Sequence, residues 1–535
     1  MRTLVILLLL LSFSFAACGG EVEMGLPAVS GGEGLLVNMV MKSVPGEGME
    51  YVGAEPSVGT ATQESLSTAA DVARELAQGG YDCDLLLRVD EADSPGGVEG
   101  PSAGAAFAVM AYSLFTGEGM REDAAITGAI SDGGLVLPVG GLYEKALSAK
   151  IAGMRHFVTP IQSVEEKLML RAITGINIHE VEDAHEAVEF FLEDKVPPER
   201  PLELEVEPLG NLTPYEGARV PGMESIVRTL IGEERAVISG IEDNAVRGYF
   251  GGKAVQHEQL YGLGYDYAAA NGAFLTQISA SAIAEVSRPD IEAKKMEVQE
   301  CLGALQKPAI TIGNYEWLMG GEAREMRARR NYGKYSGLEP ETKDEEYLLV
   351  YQMGYSKAWC DAAAAMYATG SAGGAAIDEA ELEGIAEGLL NYTDDYGEWQ
   401  EYADTGKQLY EEGMYAGAVY ELMFARSMVE GDEALEEGVT GADYALLAEN
   451  ESASAWGMVF RAHSLYLMQQ GENEDAYRMI VFARNMDGVA AEVGAVNATA
   501  AGSDTETGNR QLETENLCMP AFFLLVVAFV AVCEK

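Results

Sequence analysis

A serine on a glycine-proline turn at the head of an apolar helix has the surroundings of a nucleophile, and Glu99-Gly100-Pro101-Ser102-Ala103-Gly104 is such a segment. The apolar run Ala105 to Phe115 that follows predicts a helix. Its unpaired N–H groups and positive dipole end favour an oxyanion developing beside Ser102. A matching base stands further on. Gly140-Gly141-Leu142-Tyr143-Glu144-Lys145 opens a second predicted helix, Leu142 to Ala152, with Lys145 one turn in, among Ala146, Leu147 and Ala149. A lysine held among small apolar side chains sheds its proton more easily than one in water, and the neutral amine is a general base. Taken singly, Ser102 reads as a helix cap and Lys145 as a surface lysine. Taken together they have the chemistry of a Ser-Lys dyad.

From about Gly34 to Leu192 the chain resembles the proteolytic domain of the Lon family, especially its archaeal secreted or membrane-associated relatives. Three motifs in order carry the resemblance: Gly100-Pro101-Ser102-Ala103-Gly104, Ile126-Thr127-Gly128-Ala129-Ile130, and Val136-Leu137-Pro138-Val139-Gly140-Gly141-Leu142 running into Glu144-Lys145. The resemblance implies Ser102 as nucleophile, Lys145 as its base, Thr127 as a hydroxyl that positions the lysine, and Glu99 as an acidic neighbour of the serine. Ala129 stands where the family's motif often has glutamate, and Tyr143 replaces a commoner charged residue; neither change touches the dyad. The implied reaction is acyl transfer. Neutral Lys145 takes the Ser102 proton as the hydroxyl attacks a peptide carbonyl, the ammonium protonates the leaving amine, and water releases the acyl group. The family also implies polypeptide substrates and a ring-shaped homo-oligomer.

Composition narrows the partners. With 86 acidic against 35 basic residues and a net charge of −51, the chain has no basic stripe to neutralise nucleic-acid phosphates or to adsorb on anionic lipid. The acidic residues are spread over the helices, as on a solvating surface. No G-x-x-x-x-G-K-[ST] segment occurs, so no nucleotide partner is expected, and the ATPase module of classical Lon enzymes is not in this sequence. The histidines (His156, His179, His185, His257, His463) and the scattered cysteines offer no metal-ligand spacing, and no metal or other cofactor is expected.

Residues 1–17, with Arg2 ahead of an apolar run ending in Ala16-Ala17, read as an export signal. Cys18-Gly19-Gly20 fits a lipid acceptor, against which Phe15 counts, and residues 18–33 are expected to be a flexible lead-in. Residues 34–194 form the α+β proteolytic domain, with strands at Leu35 to Val44 and Met49 to Val52 as a hairpin, a helix at Thr62 to Leu76, and Ala124 to Ile130 paired with Gly134 to Val139. A proline-rich linker spans 195–220. Residues 221–500 are expected to be all α, with helix, glycine turn, helix hairpins at Tyr402 to Met428 and Ala455 to Asn485 that are similar to tetratricopeptide-like repeats. A polar spacer, 501–516, precedes an apolar run at 517–533, read as a transmembrane helix or sorting tail. Of the cysteines, Cys83, Cys301 and Cys360 lie in the expected folded body and allow at most one bridge, Cys301 to Cys360 among the pairings. Sequons at Asn211, Asn391, Asn450 and Asn497 fit an exported chain.

Two functions follow as expectations: an exported, membrane-tethered, ATP-independent serine endopeptidase acting on unfolded or flexible proteins, or a catalytically silent surface scaffold whose helical domain binds a protein partner. The joint presence of Ser102, Thr127 and Lys145 favours the first.

Overall fold

The computed structural model describes residues 18–502 apart from 31–32, 54–56, 80–81, 90–97, 99, 174, 287, 370–373, 394–395, 437, 440–451 and 453. The expected export signal over 1–17, Glu99, and the apolar run over 517–533 lie outside the described residues. Among the described residues no helix is long and apolar enough to cross a membrane. The described chain divides into two compact units, with the boundary between Glu203 and Leu204.

Side-chain alternation builds the first unit. β1 (Gly20–Ser30), β2 (Glu33–Pro45), β3 (Glu50–Val52), α1 (Thr60–Leu76) and β4 (Cys83–Val89) come first. Met24 and Leu26 of β1, Val37, Met39 and Met41 of β2, and Leu85, Leu87 and Val89 of β4 are buried. The spacing of two turns them to one face of the sheet. That face shares a core with Leu66, Ala69, Ala70 and Ala73 of α1 and with α2 (Gly104–Thr116). Because α2 is apolar all round, it is a central helix: Ala105 to Ala111 are each 0% exposed.

Strand order in this sheet is β1-β2-β4-β3, and it corrects two expectations. Residues 18–33 are not a flexible lead-in, since β1 pairs antiparallel with β2 from Gly20 opposite Ser43 to Ser30 opposite Glu33. The surrounding glycines hide the alternation of Val22, Met24, Leu26 and Ala28. Nor is β3 the hairpin partner of β2, because β4 lies between them, antiparallel to β2 and parallel to β3. The Asp84 carboxylate explains the detour. It accepts the Glu47 and Met49 N–H groups at 2.8 and 2.9 Å and so wraps the turn before β3 around the start of β4; these bonds lower its pKa.

The segment from Ala124 to Ile130 also differs from the single strand expected. β5 (Ala124–Ile126) joins β8 (His156–Thr159) and β9 (Asn177–Glu180) in a parallel sheet, whereas β6 (Ala129–Ile130) pairs antiparallel with β7 (Val136–Leu137). The break falls at Thr127-Gly128. Gly128 has φ 152°, and a Cβ there would sit 2.5 Å from Val136 Cγ1, so only glycine lets the chain change sheets at this point. Helix α3 (Leu142–Ile151) lies between β7 and β8, and α4 (Val164–Leu170) and α5 (Ala184–Leu192) flank β9. Ser163 and Glu166 form a capping box on α4, and Asp183 caps α5.

Cys18, read as a possible lipid acceptor, is in a disulfide with Cys83, and Cys301 is bridged to Cys360. One bridge had been the expected maximum. The second appears because β1 brings the start of the chain alongside β2 and β4.

In the second unit the described regular structure is helical, apart from an isolated bridge between Thr311 and Ala376: α6 (Met223–Ser239), α7 (Asn244–Gly262), α8 (Asp266–Glu285), α9 (Ile291–Ala304), α10 (Tyr315–Tyr335), α11 (Lys343–Thr369), α12 (Glu379–Leu390), α13 (Gln400–Glu411), α14 (Tyr415–Glu436), α15 (Ala455–Gln470) and α16 (Asn473–Gly502). Asp243, Asp290, Asp378 and Ser454 accept first-turn N–H groups as caps. The turns between α13 and α14 and between α15 and α16 contain Gly413 and Gly471, both at positive φ.

Candidate active site

Ser102 lies in a short 3-10 turn, Pro101–Ala103, directly ahead of α2. Gly100 enters this turn at φ 110°. Two hydroxyls of α1 then grip it: Thr62 Oγ1 donates to the Gly100 carbonyl at 2.9 Å and Ser65 Oγ to the Pro101 carbonyl at 3.1 Å. A trans peptide points its N–H opposite its carbonyl. With the Pro101 carbonyl turned to α1, the Ser102 N–H faces away from that helix, free of it for an oxyanion.

The Ser102 carbonyl is held from the other side. Gly128 N–H donates to it at 2.9 Å and Thr127 Oγ1 at 3.2 Å. Ala105 N–H returns a bond to the Gly128 carbonyl at 3.0 Å, and Thr127 N–H is anchored on Val158 of β8 at 3.0 Å. The Thr127 side chain is 0% exposed. The structure therefore joins Ser102 and Thr127 directly, through the threonine hydroxyl and the serine backbone. With its proton committed to Ser102, the Thr127 oxygen keeps its lone pairs for an amine.

Lys145 sits on α3, 5% exposed, with Leu142, Tyr143, Ala146, Leu147 and Ala149 also buried. The strand pair β6–β7 that follows Thr127 leads straight into this helix. The start of the helix rests on β1 and β2. Gly141 has φ 69°, and a Cβ there would press on Val29 Cγ2 at 2.7 Å; a Cβ on Gly34 would collide with the Glu144 carbonyl. Ser148 Oγ ties the Lys145 carbonyl at 2.9 Å, with the Leu35 carbonyl at 3.3 Å. Glu99 falls outside the described residues.

The first unit is thus a mixed α and β domain with a serine on a clamped turn and a lysine buried on a second helix. Comparison shows what it is similar to: residues 21–194 match the Lon protease (S16) C-terminal proteolytic domain. The Lon protease of Escherichia coli (strain K12) is 33% identical over 172 residues, covering 30% of this chain and 21% of that protein. That of Haemophilus influenzae is 35% identical over 176 residues, 31% of this chain and 21% of its own length, and Lon protease 1 of Thermus thermophilus is 33% identical over 167 residues, 30% and 20%. The chain thus spans about a fifth of the length of these curated relatives.

Sequence reasoning missed a histidine pair under the parallel sheet. His156 Nδ1 and His179 Nε2 are 2.9 Å apart, both rings pack on Phe190, and Arg121 lies over the Phe190 face at 4.3 Å. Asp123 binds Arg121 at 2.8 Å and lies 3.8 Å from His156 Nε2. Only the strand register reveals this pair, since β8 and β9 come together from separate stretches of chain. Burial, helped by His156 and Arg121, pushes His179 down to about 4; burial and Arg121 lower His156, opposed by Asp123. A histidine held neutral in the folded state, with an ordinary value of 6.5, binds its proton preferentially in the unfolded chain. Stability of the first unit is therefore expected to fall as pH drops from about 6.5 toward about 4. Urea midpoints at pH 7 and 4.5 check this. The loss should shrink in His179→Gln, and an equal loss in that variant removes the pair as its cause.

Proposed function

We propose that the first unit hydrolyses peptide bonds by a Ser-Lys dyad, with Ser102 as nucleophile, Lys145 as general base, Thr127 as the hydroxyl that orients the lysine, and Glu99 as an acidic neighbour. The observation that carries this reading is the double clamp on the Ser102 turn, built by α1 on one side and the Thr127-Gly128 break on the other, in a domain where the lysine is buried. Substrates are unfolded or flexible polypeptides, cleaved without nucleotide; the lack of a phosphate-loop motif in these 535 residues supports this.

The protein acts outside the cytoplasm, as an exported member of the archaeal secreted or membrane-associated type. The signal-like residues 1–17 support this, and so do the two disulfides, since such bridges persist in oxidising compartments. The run at 517–533 is the proposed membrane tether, and a ring of identical subunits is the proposed assembly. A serine-directed peptidyl phosphonate tests the chemistry. We expect one adduct in the full chain and none in Ser102→Ala. No Ser102-dependent adduct in folded protein would leave the scaffold function, in which the helical unit binds a protein partner.

A further inference from the structure

Part of the expected linker is seated on the helical unit. Residues 204–215 form neither helix nor strand, and they run along α7 and on to the last turn of α15. Leu204, Val206, Leu209, Leu212 and Tyr215 are half-buried, and every residue between them is exposed. Nothing in the stretch is fully buried, so it lies on the unit and not within its core. Val206 fills the notch that Gly252 leaves on α7, where a Cβ would stand 2.8 Å from Val206 Cγ2.

The backbone of this stretch is gripped by side chains of the helices beneath it. Gln256 Nε2 on α7 donates to the Glu207 carbonyl. Tyr265 Oη, just ahead of α8, donates to the Thr213 carbonyl at 2.6 Å, and Gln469 Oε1 on α15 accepts the Thr213 N–H at 2.6 Å. Gln469 Nε2 also donates to Tyr265 Oη at 2.6 Å, so tyrosine and glutamine act as one clamp on both backbone groups of Thr213. The Tyr215 N–H then closes on the Leu263 carbonyl at 2.8 Å. An extended chain turns alternate side chains to the surface it lies on and leaves its N–H and C=O groups to be taken up by that surface. Groups that grip main chain do not tell one sequence from another, and half-buried apolar contacts ask only for the spacing. Grooves that bind extended peptides divide the work in this way.

We propose that this face of the helical unit is a groove for extended polypeptide, that residues 204–215 are a strap covering it, and that the strap gives way to an unfolded stretch with apolar side chains at alternate positions. The seated strap shows what the groove accepts: an extended chain, apolar side chains on its inner face, and main chain presented to Gln256, Tyr265 and Gln469. That the incoming chain is a substrate rests on the peptidase reading; the groove itself does not. A tethered strap competes at an effective concentration of about a millimolar, so the groove stays covered until a chain is presented to it at comparable strength.

The test uses the full chain carrying Ser102→Ala, so that nothing is cleaved. The probe is a fluorescent peptide of about twelve residues, the length of the strap, with leucine alternating with serine and lysine; its control has the same residues with the leucines in one block. Loosening the strap by Val206→Asp and Leu209→Asp should tighten binding of the alternating peptide at least about tenfold, because the open groove is then no longer a minor fraction. Adding Gln469→Ala to the loosened chain should reverse most of that gain. In the unloosened chain, a saturating concentration of the alternating peptide should speed amide hydrogen exchange at Thr213 and Tyr215, and this measurement decides alone if the strap variant does not fold. Equal binding with the strap loosened or intact, equal binding of the blocked control, or unchanged exchange at Thr213 and Tyr215 overturns the proposal. Absence of a phosphonate adduct on Ser102 in the parent chain would instead sink the peptidase reading, removing the substrate as occupant and leaving the groove and its strap standing.

Discussion

Lys145→Met should lower peptide hydrolysis at least about a thousandfold while leaving the first unit folded. Methionine fills nearly the same volume, so the buried position stays filled and only the basic nitrogen is removed. A serine hydroxyl is a poor nucleophile without a base, and no imidazole stands in for the lysine in this reading. His156 and His179 are engaged with each other and with Phe190 beneath the parallel sheet. The residual rate should climb with pH as hydroxide takes over the proton, and loss should appear in kcat with KM little changed. Thr127→Val should cost less, because the Gly128 N–H still holds the Ser102 carbonyl at 2.9 Å. A Lys145→Met protein that keeps a rate within tenfold of the parent would mean that another group accepts the serine proton.

The local settings of Ser102 and Lys145 were legible because they are contiguous in sequence. A Gly-Pro-Ser turn before an alanine-rich helix, and a lysine one turn into another, are written in contiguous residues, and the observed α2 and α3 begin within one residue of the expected helices. What supports them was not legible, because it is long range. Thr62 and Ser65 reach the turn from a helix 36 or more residues earlier. Thr127 reads as a mid-strand residue until one sees that Gly128 switches the chain from the β5 sheet to the β6–β7 pair. The strand β1 was missed for a simpler reason: Gly20 and Gly25 within it and Gly19, Gly31 and Gly32 beside it make the stretch glycine-rich, while the apolar alternation that buries Met24 and Leu26 is only four residues strong. That error hid the role of Cys18, since a cysteine in a loose leader has no fixed partner.

Removing the Cys18–Cys83 bridge, by Cys18→Ser or by reduction, should destabilise the first unit by about 4 kcal/mol, because the cross-link closes a loop of 65 residues in sequence separation and its loss frees the unfolded chain by that loop's closure entropy. Cys18 is the better position to change, being half-buried where Cys83 is 2% exposed, so no core cavity confounds the result. For a unit of this size the shift in melting temperature is about 10 °C. The effect should reach the site as well. Ser43 Oγ still accepts the Gly19 and Gly20 N–H groups at 3.1 and 3.2 Å, so β1 will not detach outright. Its far end, however, carries Val29, which packs under Gly141 at the head of the Lys145 helix. A loosened β1 therefore lets that helix shift, and peptidase activity in reducing buffer should fall before the unit melts. Cys301–Cys360 closes a loop of nearly equal separation, 59, wholly within the helical unit, so Cys301→Ser should destabilise that unit and leave Ser102 labelling unchanged. If reductant moves neither melting nor labelling, the bridges do not hold these units together, and the support they lend to an extracytoplasmic site of action is lost with them.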